Sequence, residues 1–236
     1  MTIRWVLRKI DHFLHPGHGE ILMLHRVTEE KSANLYYHRW EISPSFLEYI
    51  IKSYVDKGYK FVSMDDVCSM QEKKKYDKRH FVCFTFDDGH LDTYTQVLPI
   101  MEKYSIPFCV YVTPEYVTGE VEARDDEHIP MMSVEQVVQL SRHPLCTIGS
   151  HTMSHPHLDR MPYKKQKEEI LIANNVLEGW IGKSIMHFAS PYGSHNADTV
   201  KIVHDLNMKS HVSISGGSVR SNSKLLCLPR VEVIER

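Results

Sequence analysis

The sequence predicts an α/β barrel, and three observations carry that expectation. Short apolar runs of strand length alternate along the chain with longer segments whose apolar residues recur at helical spacing. The residues best suited to chemistry stand just after such runs: Asp87 and Asp88 after residues 81–86, and His151 shortly after residues 146–149. In a barrel of parallel strands, active sites are built at these C-terminal strand ends. The length, 236 residues, suits a single domain, because α/β barrels reach about 200–250 residues as one unit. No internal repeat, low-complexity tract or linker divides it.

Taken in order, residues 1–19 read as an N-terminal amphipathic helix or extension and residues 20–236 as the domain. Ile3, Val6, Leu7, Ile10, Phe13 and Leu14 fall near helical spacing, with Arg4, Arg8 and Lys9 between them. Such a helix is expected to pack on the barrel exterior, the alternative being a peripheral membrane contact through residues 1–14. Residues 22–24 read as a strand and 26–41 as a long irregular loop holding Tyr36, Tyr37, Arg39 and Trp40. Ser43 and Pro44 fit the N-cap and first turn of a helix with apolar Phe46, Leu47, Ile50, Ile51, Tyr54 and Val55, ended by Gly58. Residues 61–62 give a short strand, and Asp65 is expected to cap a short helix.

Strands follow over 81–86 and 108–112, with a helix over 97–104 between them. A polar loop spans 114–131, and Ser133 can cap a helix running to Leu140. Strands are expected at 146–148, 187–189, 211–215 and 226–233, and helices at 163–180 and 196–206.

Composition removes several classes. The net charge is −2, so nothing implies an electrostatic footprint for nucleic acid. The run Glu72-Lys73-Lys74-Lys75 reads as a solvated loop. Cys68, Cys83, Cys109, Cys146 and Cys227 are odd in number and lack C-x-x-C pairing, which favours a reducing compartment. The N-terminus lacks a signal-peptide pattern, and no stretch approaches the roughly 20 apolar residues of a membrane span. A cytoplasmic location is therefore expected, and no obligate protein partner is evident.

The chemistry concentrates in two short motifs. Thr85-Phe86-Asp87-Asp88-Gly89 ends a strand in paired acids, and His151-Thr152-Met153-Ser154-His155 supplies two imidazoles four residues apart. Asp88, His151 and His155 make a three-ligand site for one divalent ion, with zinc the best match to mixed oxygen and imidazole ligation. Asp87 is then free to act as a general base. The competing reading is two solvent-exposed loop histidines. The same ligand set also serves non-haem iron oxygenases, although Asp87 would have no role in one.

These motifs, together with His25 after residues 21–24 and Ser190-Pro191-Tyr192-Gly193, resemble the NodB homology domain of the polysaccharide deacetylases, carbohydrate esterase family 4. The likeness runs from Glu20 to Val233. It implies an irregular (β/α) barrel of about seven strands and a hydrolase that removes acetyl groups from N-acetylated sugars in a polysaccharide or glycan precursor. It also assigns the backbone N–H of Tyr192 to the oxyanion.

Two departures from the family pattern matter. The family's usual acid lies in a C-terminal L-x-H motif, which is absent after Arg230. His25 instead resembles the circularly permuted arrangement of the poly-β-1,6-N-acetylglucosamine deacetylases, the alternative being a structural histidine at a strand end. Where the family often carries an arginine that orients the catalytic Asp, this chain has Ser190 before Pro191. Arg230, on a late strand, either reaches Asp87 from the other side or is an ordinary surface residue. The candidate catalytic residues are thus Asp87, His25, Tyr192 and Arg230. A catalytically silent carbohydrate-binding relative is the alternative from another class.

Overall fold

The structure is a computed structural model that describes residues 19–120, 122–123, 129–214 and 217–235. The amphipathic segment expected over residues 1–14 lies outside the described residues. β1 (Gly19–Leu24) leads into a short parallel pair, β2 (Arg26–Val27) and β3 (Glu41–Ile42), where the sequence suggests only irregular loop. α1 (Pro44–Asp56) starts as expected at Ser43, whose hydroxyl accepts the Phe46 N–H. After β4 (Lys60–Phe61) comes α2 (Met64–Lys73), and here the expected cap is wrong. Ser63, not Asp65, caps it: the Ser63 hydroxyl accepts the Asp66 N–H while the Asp66 carboxylate accepts the Ser63 N–H.

β5 (Phe81–Phe86) is followed by a π-type turn at Thr93–Val97, α3 (Leu98–Tyr104) and β6 (Phe108–Val112). The expected polar loop opens with a short helix, α4 (Pro114–Thr118), because Pro114 can occupy a first helical turn and Gly119 closes it at φ 74°. Then come α5 (Val134–Arg142), β7 (Cys146–Ser150), α6 (Tyr163–Ile181), β8 (His187–Ala189), α7 (Ala197–Asp205) and β9 (Ser210–Ser213).

The last expected strand is split into β10 (Leu228–Pro229) and β11 (Val231–Glu232), with Arg230 between them. β10 pairs with β9 and β11 with β1, so one run of chain bridges both edges of the sheet. The ladders are parallel, in the order β10-β9-β8-β7-β6-β5-β1-β11, with β4 beside β5. Counting β10 and β11 as one interrupted strand, seven positions (β1, β5, β6, β7, β8, β9 and the split strand) curl into a nearly closed barrel.

Period-two alternation sorts the side chains. Val82, Phe84 and Phe86 of β5 join Leu22, Leu24, Phe108, Val110 and Ile148 in the core beneath the helices. Phe81 and Cys83 join Ile21, Cys109, Tyr111, Ala189, Val212 and Leu228 in a second core inside the barrel, closed below by Met64 and Val67 of α2. The inward rows run on through Thr85 and Met23 and, one step past the strand ends, reach Asp87 and His25. Gly149 on β7 is required by this packing, since a Cβ there would stand 2.5 Å from the Tyr111 ring.

All five cysteines are free, and four are buried. Among the described residues no helix is long and apolar enough to cross a membrane.

Candidate active site

Asp87 and Arg230 form a closed pair at the upper end of the barrel interior, each 1% exposed. Arg230 Nη1 donates to Asp87 Oδ1 and Nη2 to Oδ2, both at 2.7 Å, the fork geometry that makes arginine–carboxylate pairs strong. Nη1 also donates to Thr85 Oγ1 at 3.1 Å, and that hydroxyl donates to the Leu22 carbonyl at 2.7 Å. Burial by itself would raise the Asp87 carboxyl; the Arg230 guanidinium and then His151 outweigh it and hold the group below its ordinary value. Of the two positions open to Arg230, the chain adopts the one that reaches Asp87. The break between β10 and β11 is where its side chain turns inward.

Asp88 leaves β5 in a left-handed conformation, φ 75°, which turns its side chain away from the row occupied by Asp87. Among the described residues, its buried Oδ1 has no hydrogen-bond partner. That oxygen lies 3.6 Å from His151 Nε2 and 3.4 Å from His155 Nε2. His151 Nδ1 sits 2.8 Å from the Ala189 carbonyl; a carbonyl only accepts, so Nδ1 carries a hydrogen and it is Nε2 that faces Asp88.

The two histidines converge although no helix holds them. Thr152 and His155 both take positive φ, 65° and 63°, and Thr152 Oγ1 accepts the His155 N–H at 3.1 Å. From α6, the Glu169 carboxylate accepts the N–H groups of Met153 and Ser154, each at 3.0 Å, and the Ser154 hydroxyl at 2.9 Å.

Ligand atoms of Asp88, His151 and His155 all lie within 4.8 Å of one another. Burial pushes the His155 imidazole down to about 3, which keeps it neutral and able to act as a ligand. For Asp88, burial works against ionisation, but His90 and then His155 hold the carboxyl well below its usual range. An ionised carboxylate whose buried oxygen has no donor among the described residues, set between two imidazoles, fits a divalent cation.

His25 follows β1 directly and is partly buried. The Asp87 N–H donates to the Leu24 carbonyl at 2.9 Å, so His25 and Asp87 leave adjacent strand ends. Burial lowers the His25 imidazole, while Asp88 and Asp87 pull it back up. Trp40 stands 6.3 Å from it, ring centre to ring centre. Tyr192, at φ 57° in the turn Pro191–Gly193, stacks on His157 at 4.0 Å and meets the His155 ring at 4.6 Å. All seven residues singled out in the sequence belong to the strand ends and loops at one end of the barrel.

Three supporting groups escape motif reading. His90 adjoins the first motif, and its Nε2 lies 3.2 Å from Asp88 Oδ2. Glu169 looks like an ordinary helix charge. Arg26 is buried, with Nε donating to Asp92 Oδ2 at 2.9 Å and Nη1 to Glu41 Oε1 at 3.1 Å, tying β2 and β3 to the segment after β5. Strand parity was the available signal: Arg26 follows the outward row of β1, opposite to His25.

A nearly closed parallel barrel with paired acids and two histidines at its strand ends defines a class of hydrolase. The polysaccharide deacetylase family profile matches residues 74–211, more than half of the chain; the chain belongs to that family and is a hydrolase acting on carbon–nitrogen bonds. The chain is 25% identical over 200 residues to the poly-β-1,6-N-acetyl-D-glucosamine N-deacetylase of Staphylococcus aureus (strain MRSA252), covering 81% of this chain and 67% of that relative. Its fold is similar to that of the Streptococcus pyogenes deacetylase PplD, solved in complex with acetate (TM-score 0.79, 23% identity, 93% of each chain). It is similar also to IcaB from Ammonifex degensii (TM-score 0.78, 22% identity, 93% of each chain).

Proposed function

We propose that this chain is a metal-dependent deacetylase that hydrolyses the acetamide of an N-acetylated sugar in a polysaccharide or glycan precursor. The observation that carries the reading is the unpartnered Asp88 Oδ1 between His151 and His155, with the Arg230-clamped Asp87 alongside. Residues 20–236 form the catalytic domain in this reading, and residues 1–19 an extension to it.

Asp88, His151 and His155 would hold one divalent ion, zinc suiting two nitrogens and an oxygen best. Bound there, it supplies Lewis-acid polarisation of the acetyl carbonyl and lowers the pKa of a water to about 7. Asp87 takes the proton of the attacking water; its fixed ionisation and the two-point hold of Arg230 keep a lone pair aimed and available. The Tyr192 N–H donates to the developing oxyanion. His25 gives a proton to the departing sugar amine, because an amine is too poor a leaving group to depart as an anion.

Asp87 discriminates this reading from an oxygenase, where a second acid beside the ligands has no task, and from a silent binding relative, which needs neither the ligands nor the base. The deciding experiment is metal analysis of the purified protein with acetate release from N-acetylglucosamine oligomers under anaerobic conditions. Stoichiometric metal and oxygen-independent acetate release are expected. Metal without release would support the silent relative, and release that needs oxygen would support the oxygenase.

A further inference from the structure

The Asp88 carboxylate is divided between two neighbours. Oδ1 faces the two imidazoles, while Oδ2 lies 3.2 Å from His90 Nε2. A carboxylate oxygen only accepts, so Nε2 must carry the hydrogen. His90 is 2% exposed, and its Nδ1 is buried without a hydrogen-bond partner among the described residues. Leaving a buried ring nitrogen unpaired is costly, and an apolar side chain at this position would avoid that cost. The imidazole is therefore better explained by what Nε2 does than by filling space.

The surrounding backbone keeps the ring in place. His90 forms a bridge with Met131, the Leu91 N–H donates to the Pro130 carbonyl at 2.9 Å, and the Met132 N–H donates to the Gly89 carbonyl at 3.0 Å. Asp88 cannot readily re-aim through its own backbone, because it already sits at φ 75° with its carbonyl accepting the Thr113 N–H at 3.3 Å.

We propose that His90 is the positioning residue of the metal centre: its Nε2–H occupies Asp88 Oδ2, so that the carboxylate meets the ion through Oδ1 alone and in a fixed orientation. This rests on the metal reading above and adds to it a residue that neither motif contains. Groups that orient a ligand in this way typically change metal affinity about 10–100-fold when removed.

The test titrates Zn²⁺ into chelator-stripped protein in competition with a chromogenic chelator, for wild type, His90→Leu and His90→Gln, with thermal melts of the stripped forms. His90→Leu should raise the zinc Kd by about 10–100-fold, while His90→Gln, whose amide N–H can replace Nε2–H, should recover most of the affinity. His90→Phe stands in for His90→Leu if the smaller side chain does not fold. Leu or Phe variants that bind as tightly as wild type, or a Gln variant weakened as much as they are, would overturn the proposal and leave the metal reading intact. Wild-type protein that binds no zinc would sink both.

Discussion

At the mouth of the barrel a carboxylate oxygen faces two imidazoles with no donor on it; at the opposite end a carboxylate, an imidazole and a hydroxyl meet with very different consequences. There Asp65 Oδ1 accepts from Lys209 Nζ at 2.7 Å and stands 3.5 Å from His187 Nε2, and His187 Nδ1 is 2.8 Å from Ser210 Oγ. Ser, His and Asp in a row suggest a hydrolytic triad, yet the ring is reversed: in a triad the serine meets Nε2 and the acid Nδ1. Ser210 is also completely buried at the start of β9, out of reach of any substrate, while the Asp65 side chain is 54% exposed. His187 and then Lys209 hold the Asp65 carboxyl far below its ordinary value, against the effect of burial. The contrast shows that residue types do not define a site. What distinguishes the mouth is a carboxylate oxygen without a donor among the described residues that converges with two imidazole nitrogens.

The double variant His151→Ala/His155→Ala should break the mouth most completely, with metal and turnover both lost and the fold retained by circular dichroism. Stoichiometric metal remaining in that variant would remove the ligand assignment. Arg230→Met comes next, since it strands a buried carboxylate and should cost about 3–5 kcal/mol in urea unfolding. Its pH signature has a definite sign. Asp87 is depressed by Arg230, so its base form, and the stability tied to it, is present above its unfolded pKa and lost only as pH falls through the lower folded value. Without Arg230, burial raises that pKa, and the acidic limb of kcat/KM should move to higher pH; an unmoved limb would separate Arg230 from Asp87 function.

Asp87→Asn should keep its metal but lose about 10²-fold or more in turnover, and a wild-type rate would make Asp87 structural. His25→Ala should retain metal and slow amide cleavage strongly while sparing an activated aryl ester, whose leaving group departs without a proton. Equal losses on both substrates would return His25 to a structural role. The smallest effect is expected at the opposite end: Ser210→Ala should destabilise by about 1–3 kcal/mol through the unpaired imidazole and leave turnover per folded molecule unchanged. A collapse in turnover there would erase the distinction between the two ends.

Much of this was legible because it is local. Apolar runs match β5, β6 and β8 residue for residue, and the paired acids and spaced histidines stand together at the mouth. The two-residue period of β1 and β5 already places His25 and Asp87 on the inward rows and Arg26 on the outward one. The cap of α2 falls on Ser63 rather than Asp65, since both have the chemistry of a cap and only the backbone angles of the entering chain choose between them.

What the sequence determined by itself is therefore the alternation of elements, the rows on each strand and the set of candidate side chains at the strand ends, all of which follow from patterns a few residues long. Tertiary structure decided the partners across long separations: Arg230 on Asp87, 143 residues away, Glu169 under the histidine loop, and the final strand divided between β9 and β1. Closing the barrel brings the last strand beside the first. Burial then obliges each charge carried inward to find its counter-charge, and no local pattern names which one it will be.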